Sequence, residues 1–486
     1  MIQIKNLTVA YGKQPALQDI NLLVPRGECL LITGPSGCGK STLARVLSGL
    51  IPHALHSTMS GQVQVAGMDV RQHSVAALAC CVGTVFQNPS THLFHLRLDD
   101  EVAFGLRNLG LPEETVHERV VWALDAVGLD GMEAQKPMEL SGGQKQRLAI
   151  ACALAMQPDV LVLDEPTASL DVPGTRQVMR TLQKVREDLG LTIVLIEHRL
   201  AEAVRLADRV LILDQGRIVA DGDPEEVLAD RPMLRELGLR RPTDEAPVGW
   251  RRLLQPDGHS AQDGQPLVQL KGVDAGYDGH SILHNLELTL YPGEFVALVG
   301  NNGAGKSTLA LLAAGLLKPE KGELHFAGGG KPRGGQDVAL LFQNPADQLL
   351  TDRVDAEVAL GPRNFNCFDE EQHLHTLQET DLLEFRQRRP TSLSAGQQQR
   401  TALAACLATR PAMVILDEPT LGQDWGHMER LMVFLQRLNQ RGTTILLITH
   451  DFKLVHRYAR RVLLMQGGRI VMDGRLRQEK CPRGAG

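Results

Sequence analysis

No run of about eighteen apolar residues occurs in this chain, so no segment of it is expected to span a bilayer. The opening also lacks the basic-then-apolar order of a secretory signal: Met1-Ile2-Gln3-Ile4-Lys5-Asn6 reads instead as a first strand. The eight cysteines are scattered without a C-x-x-C pair, which favours reduced thiols over disulfides or a zinc site. With a net charge of −6 and no long Lys/Arg block, bulk nucleic-acid binding is not expected either. A soluble, cytosolic protein without a nucleic-acid partner is the expectation. What is present is ordinary globular composition, 43% hydrophobic and 22% charged, spread over 486 residues, more than one hydrophobic core usually supports.

One stretch occurs twice. Gly34-Pro35-Ser36-Gly37-Cys38-Gly39-Lys40-Ser41-Thr42 and Gly300-Asn301-Asn302-Gly303-Ala304-Gly305-Lys306-Ser307-Thr308 each follow an apolar run that reads as a buried strand, Cys29 to Thr33 and Phe295 to Val299. Each also opens a helical pattern, and this strand-to-helix context is what makes a glycine-rich motif a phosphate loop rather than a structural turn. The glycines let backbone N–H groups turn inward to phosphate oxygens at a helix N-terminus. Lys40 and Lys306 would reach the β/γ-phosphates, with Ser41 and Ser307 as Mg²⁺ ligands. Cys38 reads as a small tolerated side chain rather than a nucleophile.

The repeat extends along the chain. Tyr11 and Tyr277, like Lys40 and Lys306, stand 266 residues apart; each could stack on a purine or simply pack at a strand end. Past the loops the offset becomes 256, because the first half carries ten extra residues before Gln87 and Gln343, which stand in Phe-Gln-Asn-Pro. A glutamine after an apolar strand can bring its amide oxygen to a metal. Asp99, Glu101, Asp355 and Glu357 follow at that same offset and read either as solvated helix starts or, because they recur, as a surface that holds a partner. Ser141-Gly142-Gly143-Gln144 and Ser394-Ala395-Gly396-Gln397 open helices and offer a second anion site. The apolar strands ending in Asp164-Glu165 and Asp417-Glu418 supply adjacent carboxylates: the aspartates for the Mg²⁺ shell, the glutamates to polarise an attacking water. A further strand in each half delivers His198 and His450 toward a γ-phosphate. Residues 233–266 lose apolar periodicity and read as a linker between domains at 1–232 and 267–476, and 477–486 as a polar tail.

In this order the motifs resemble those of the ATP-binding subunits of ABC transporters, across both halves. The resemblance implies an α/β fold of two tandem P-loop NTPase domains, each a mixed sheet core with a helical signature subdomain, and ATP with Mg²⁺ as ligands. It also implies that the two halves pair head to tail within one chain, so that Lys40 works with Ser394 and Lys306 with Ser141. Phe-Gln-Asn-Pro followed by Asp/Glu-x-Val-Ala-x-Gly is similar to the energy-coupling factor importers of vitamins and of cobalt or nickel ions. That similarity implies integral membrane partners, a scaffold and a substrate-binding component, and a peripheral place on the cytoplasmic face of the cell membrane. Two departures stand out: Ala395 in place of the signature glycine, and Leu421-Gly422-Gln423-Asp424 where the first half has Ala168-Ser169-Leu170-Asp171. Both sites are expected to hydrolyse ATP. The competing readings are a tandem ABC ATPase acting on ribosomes or nucleic acid, and a sugar-importer ATPase.

Overall fold

Alternating apolar and polar residues build the first strand, β1 (Ile2–Tyr11), which buries Ile2, Ile4, Leu7 and Val9 and breaks register near Asn6, where φ is +50°. The computed structural model describes residues 1–477 except 13, 87–88, 90–91, 169, 243–248, 257–263, 278, 328–329 and 420–424. It divides into two units, one built on residues up to Ala246 and the other from Pro247 onward.

In the first unit β2 (Gln14–Val24), β4 (Thr58–Val65) and β5 (Met68–Asp69) join β1 in an antiparallel sheet of order β2-β1-β4-β5. The second sheet contains β3 (Cys29–Thr33), β6 (Val82–Val85), β7 (Val160–Asp164), β8 (Thr192–Ile196), β9 (Arg209–Asp214) and β10 (Arg217–Gly222). Its order is β10-β9-β3-β8-β7-β6, parallel except for β10. Its central strands are buried on both faces, which is why they read as continuous apolar runs. Leu30, Ile32, Val162 and Val194 pack toward the antiparallel sheet and helix Lys40–Leu47, whereas Leu31, Leu161, Leu163 and Leu195 face the helical layer. That layer holds helices Leu98–Asn108, Glu113–Ala126 and Gly142–Ala155.

The second unit repeats the plan. Strands β12 (Val268–Tyr277), β13 (His280–Leu290) and β15 (Lys321–Phe326) form the small sheet. The larger one runs β11-β20-β19-β14-β18-β17-β16, with β11 (Leu254–Pro256), β14 (Phe295–Val299), β16 (Val338–Leu341), β17 (Met413–Asp417), β18 (Thr444–Ile448), β19 (Arg461–Gln466) and β20 (Arg469–Leu476).

The stretch 233–266 is not linker throughout. Helix Arg231–Glu236 runs across its start, and β11 pairs antiparallel with β20 through Leu254 and Leu476. Leu254 is fully buried beside Val299 and Leu464, and the Trp250 ring lies 6.0 Å from that of Phe452. An edge strand with one buried leucine and a terminal proline carries too little periodicity to show in sequence. The extra length of the first half is split by β4: part falls before its end, where helix Leu50–His53 stands, and part between β4 and β6, where β5 and helix Val75–Ala79 stand. The tail, but for residue 477, and 421–424 lie outside the described residues.

Candidate active sites

Each phosphate loop leaves a buried parallel strand and enters a helix through a glycine in the left-handed region, Gly39 at φ +110° and Gly305 at φ +97°. Glycine is required at the first loop position as well. A Cβ on Gly34 would stand 2.0 Å from the Leu213 carbonyl oxygen, and one on Gly300 2.4 Å from that of Met465. The hairpin turns pin both loops from the same side, since Gly216 N–H donates to Cys38 O and Gly468 N–H to Ala304 O, each at 3.0 Å. Lys40 is buried, and its ammonium donates to the carbonyls of Gly34 (2.9 Å) and Pro35 (2.8 Å). Lys306 does likewise to Gly300 (2.9 Å) and Asn301 (3.1 Å). A cation is thus fixed at the centre of each loop, while Gly37 and Gly303 have open space before them. Burial pushes the Cys38 thiol above its ordinary range although Lys40 pulls the other way, so it stays an uncharged packing group.

The paired carboxylates diverge because the chain turns between them. Glu165 and Glu418 have φ of +51° and +47°, and their N–H groups donate to Ile196 O and Ile448 O at 2.9 and 3.0 Å. Asp164 therefore faces Ser41, and Asp417 faces Ser307. Burial raises both aspartate pKa values, with the serine hydrogen bonds and the loop lysines opposing it. Asp164 Oδ1 is buried and accepts no hydrogen bond. A hard oxygen without a donor, beside a serine hydroxyl, fits Mg²⁺, which needs few protein ligands and keeps phosphate and water oxygens. Among the described residues no cluster of three or more His, Cys, Asp or Glu offers an all-protein metal cage. Glu165 turns instead toward His198, whose Nε2 lies 3.1 Å from its Oε1; in the second unit His450 Nδ1 stands 3.0 Å from Glu418 Oε2.

Tyr11 and Tyr277 end β1 and β12 with rings exposed to solvent. Gln343 is exposed two residues past β16; Gln87 lies outside the described residues. The serine helix starts form capping boxes. Ser141 Oγ accepts from Gln144 N–H at 3.3 Å while Gln144 Oε1 accepts from Ser141 N–H at 2.9 Å, and Ser394 with Gln397 repeats this at 3.4 and 3.0 Å. Gln144 and Gln397 hold the helix start, and the exposed Ser141 and Ser394 lead it.

Glu101 and Glu357 do not form the outward acidic surface expected of them. Glu101 is 5% exposed, and its Oε2 accepts the N–H groups of Phe94 (2.9 Å) and His95 (2.7 Å). Glu357, 3% exposed, takes Leu350 N–H (3.0 Å), Thr351 N–H (2.7 Å) and the Thr351 hydroxyl (2.8 Å). These carboxylates fasten their own loops, and Asp99 and Asp355 pair with Arg97 and Arg353. Exposed nearby are the apolar Phe94, Leu96 and Phe104 beside Arg97 in the first unit, and Leu350 beside Asp352 and Arg353 in the second.

The sequence profile of the ABC transporter family matches residues 17–168 and 283–421, which contain both phosphate loops and both Asp-Glu pairs. The chain belongs to the ABC transporter family as an ATP-binding protein. A Methanosarcina mazei relative described as an ABC transporter ATP-binding protein is 37% identical over 98% of this chain and 89% of its own. One from Caldanaerobacter subterraneus is 37% identical over 98% and 91%. The solved structure of cbiO1 from Clostridium perfringens, described as part of the ABC transporter complex cbiONQ, is 34% identical, covers 50% of this chain and 96% of its own, and aligns with a TM-score of 0.44. ABC ATPases hydrolyse ATP coupled to transport, and each unit here carries the phosphate loop of such an enzyme. Among the described residues no helix is long and apolar enough to cross a membrane.

The sequence reading missed Glu197. Burial pushes its carboxyl up to about 8, and it lies against the turn that follows Glu165. The available signal was the mismatch of Ile196-Glu197-His198 with Ile448-Thr449-His450 in an otherwise matching strand end.

Proposed function

We propose that this chain is the ATP-hydrolysing subunit of an importer of the energy-coupling factor type, carrying a vitamin or a transition-metal ion. The observation that carries the reading is the completeness of both units: a buried lysine in each loop, a buried aspartate beside the loop serine, and a glutamate within reach of a histidine. Phe-Gln-Asn-Pro in both halves supports the narrower assignment. ATP binds at the phosphate loop of each half, with Tyr11 and Tyr277 on the purines. Lys40 and Lys306 hold the phosphates, and Glu165 and Glu418 accept a proton from the attacking water, oriented with His198 and His450. Mg²⁺ would be held by Ser41 with Asp164 and by Ser307 with Asp417, Gln87 and Gln343 would be further candidates to ligate it, and it would neutralise phosphate charge. The exposed Phe94, Leu96, Phe104 and Leu350 receive the integral membrane scaffold in place of the acidic residues.

The test is to isolate the tagged chain from host membranes, identify what accompanies it, and reconstitute the complex in vesicles. Co-purifying integral membrane subunits and ATP-dependent uptake are expected. Recovery with ribosomes or nucleic acid, and no membrane subunit, would overturn the reading.

A further inference from the structure

In the first unit the turn after Glu165 is held by a carboxyl group for which the second unit has a threonine. Glu197, 1% exposed at the end of β8, accepts on Oε1 both the N–H (2.9 Å) and the hydroxyl (2.7 Å) of the fully buried Thr167. Ala168 N–H donates to Glu165 O at 3.2 Å and Leu170 N–H to Thr167 O at 3.0 Å, so anchoring Thr167 anchors the turn that begins at Glu165. Glu197 is itself tied to the strand bearing the phosphate loop, through its N–H to Ile32 O at 3.1 Å. The next residue, His198, reaches the Glu165 carboxylate from the other side, at 3.1 Å. In the second unit Thr449 N–H makes the matching bond to Leu298 O at 3.2 Å, but its hydroxyl accepts from Asp451 N–H, in its own chain segment, at 3.1 Å. Burying a carboxyl is costly. A threonine fills the same place in the other half, so packing alone does not call for Glu197.

We propose that Glu197 is a positioning residue of the first ATP site: through Thr167 it sets where the Glu165 carboxylate stands, and it gives the first site a hydrolytic rate different from that of the second without altering ATP binding. This rests on Glu165 activating the attacking water. Misplacing a catalytic group by about 1 Å costs up to about a hundredfold in rate, so losing the clamp should slow the first site roughly tenfold.

The experiment follows one round of phosphate release from full-length chains with ATP filling both sites, for wild type, Glu197→Ala, Glu197→Gln and Glu165→Gln, with ATP affinity measured alongside. Glu197→Ala should slow half of the released phosphate about tenfold and leave affinity within about twofold. Glu197→Gln, whose amide oxygen can accept both Thr167 donors, should restore the rate to within about twofold. A Glu197→Ala chain that releases both phosphates at wild-type rates overturns the proposal, as does one that slows both equally or loses affinity in step with rate. If Glu165→Gln slows half of the phosphate while Glu197→Ala slows none, only the positioning role falls. If Glu165→Gln slows nothing, the water-activating assignment falls and the proposal with it.

Discussion

Glu197→Gln should stabilise the protein at neutral pH while leaving its stability in mild acid unchanged. The Glu197 carboxyl is raised from its ordinary 4.5 to about 8, first by burial and then by the nearby Glu165 charge, against the opposing pull of the Thr167 hydrogen bonds and Arg199. Below pH of about 4.5 both folded and unfolded chains hold this proton. Between about 4.5 and 8 the unfolded chain releases it and the folded chain keeps it, so folding loses about 1.4 kcal/mol per pH unit from this group. Above about 8 both states are ionised and the loss stops growing. At pH 7 the penalty is about 3 kcal/mol as an upper value, since relaxation around a buried charge returns part of it. Glutamine has the shape of the neutral acid and no proton to lose. With roughly 2–4 °C per kcal/mol for a unit of this size, the first unit of Glu197→Gln should melt on the order of 5–10 °C above wild type at pH 7. Near pH 4.5 the two should coincide. Scanning calorimetry on both full-length chains at several pH values measures this, and a gap of the same size at pH 5 and pH 8 would refute a buried neutral carboxyl.

Changing Glu165 and Glu418 together to glutamine should slow steady-state ATP hydrolysis by about a hundredfold or more while ATP binding persists; rates near wild type would require another base. Glu101→Ala leaves the Phe94 and His95 N–H groups without their carboxylate acceptor and should cost about 2–4 kcal/mol in denaturant unfolding of the first unit; an unmoved midpoint would mean that this loop fastening is dispensable. Replacing Phe94 and Phe104, whose rings meet edge-on at 5.0 Å, with serine should leave ATP affinity intact but reduce recovery of membrane subunits with the chain. Undiminished recovery would place the partner elsewhere.

The groups proposed for catalysis could be picked out because two copies in one chain supply an internal register. The recurring motifs singled out Lys40, Asp164, Glu165 and His198 as candidates; in the structure Asp164 stands against Ser41 near Lys40 and Glu165 against His198, and the second unit repeats both contacts. The misreading of Glu101 and Glu357 has a physical cause. A repeated acid in a first helical turn looks the same whether it faces a partner or its own chain, and what decides is the preceding loop, which curls to present two N–H groups to each carboxylate. Glu197 escaped because the register directs attention to what recurs, whereas this residue matters by not recurring. Strand β11 was invisible for want of length: Leu254 is the one buried residue of its three, and no pattern can be read from one position.

ATP counted on the hydrolysis-deficient chain, with Glu165 and Glu418 both changed to glutamine, tests most directly that each half of this protein carries a working nucleotide site. Equilibrium binding measured by calorimetry should give two ATP per chain, and one after either Lys40→Ala or Lys306→Ala is added. A stoichiometry of one in the parent chain, or of two that neither lysine change reduces, would contradict it.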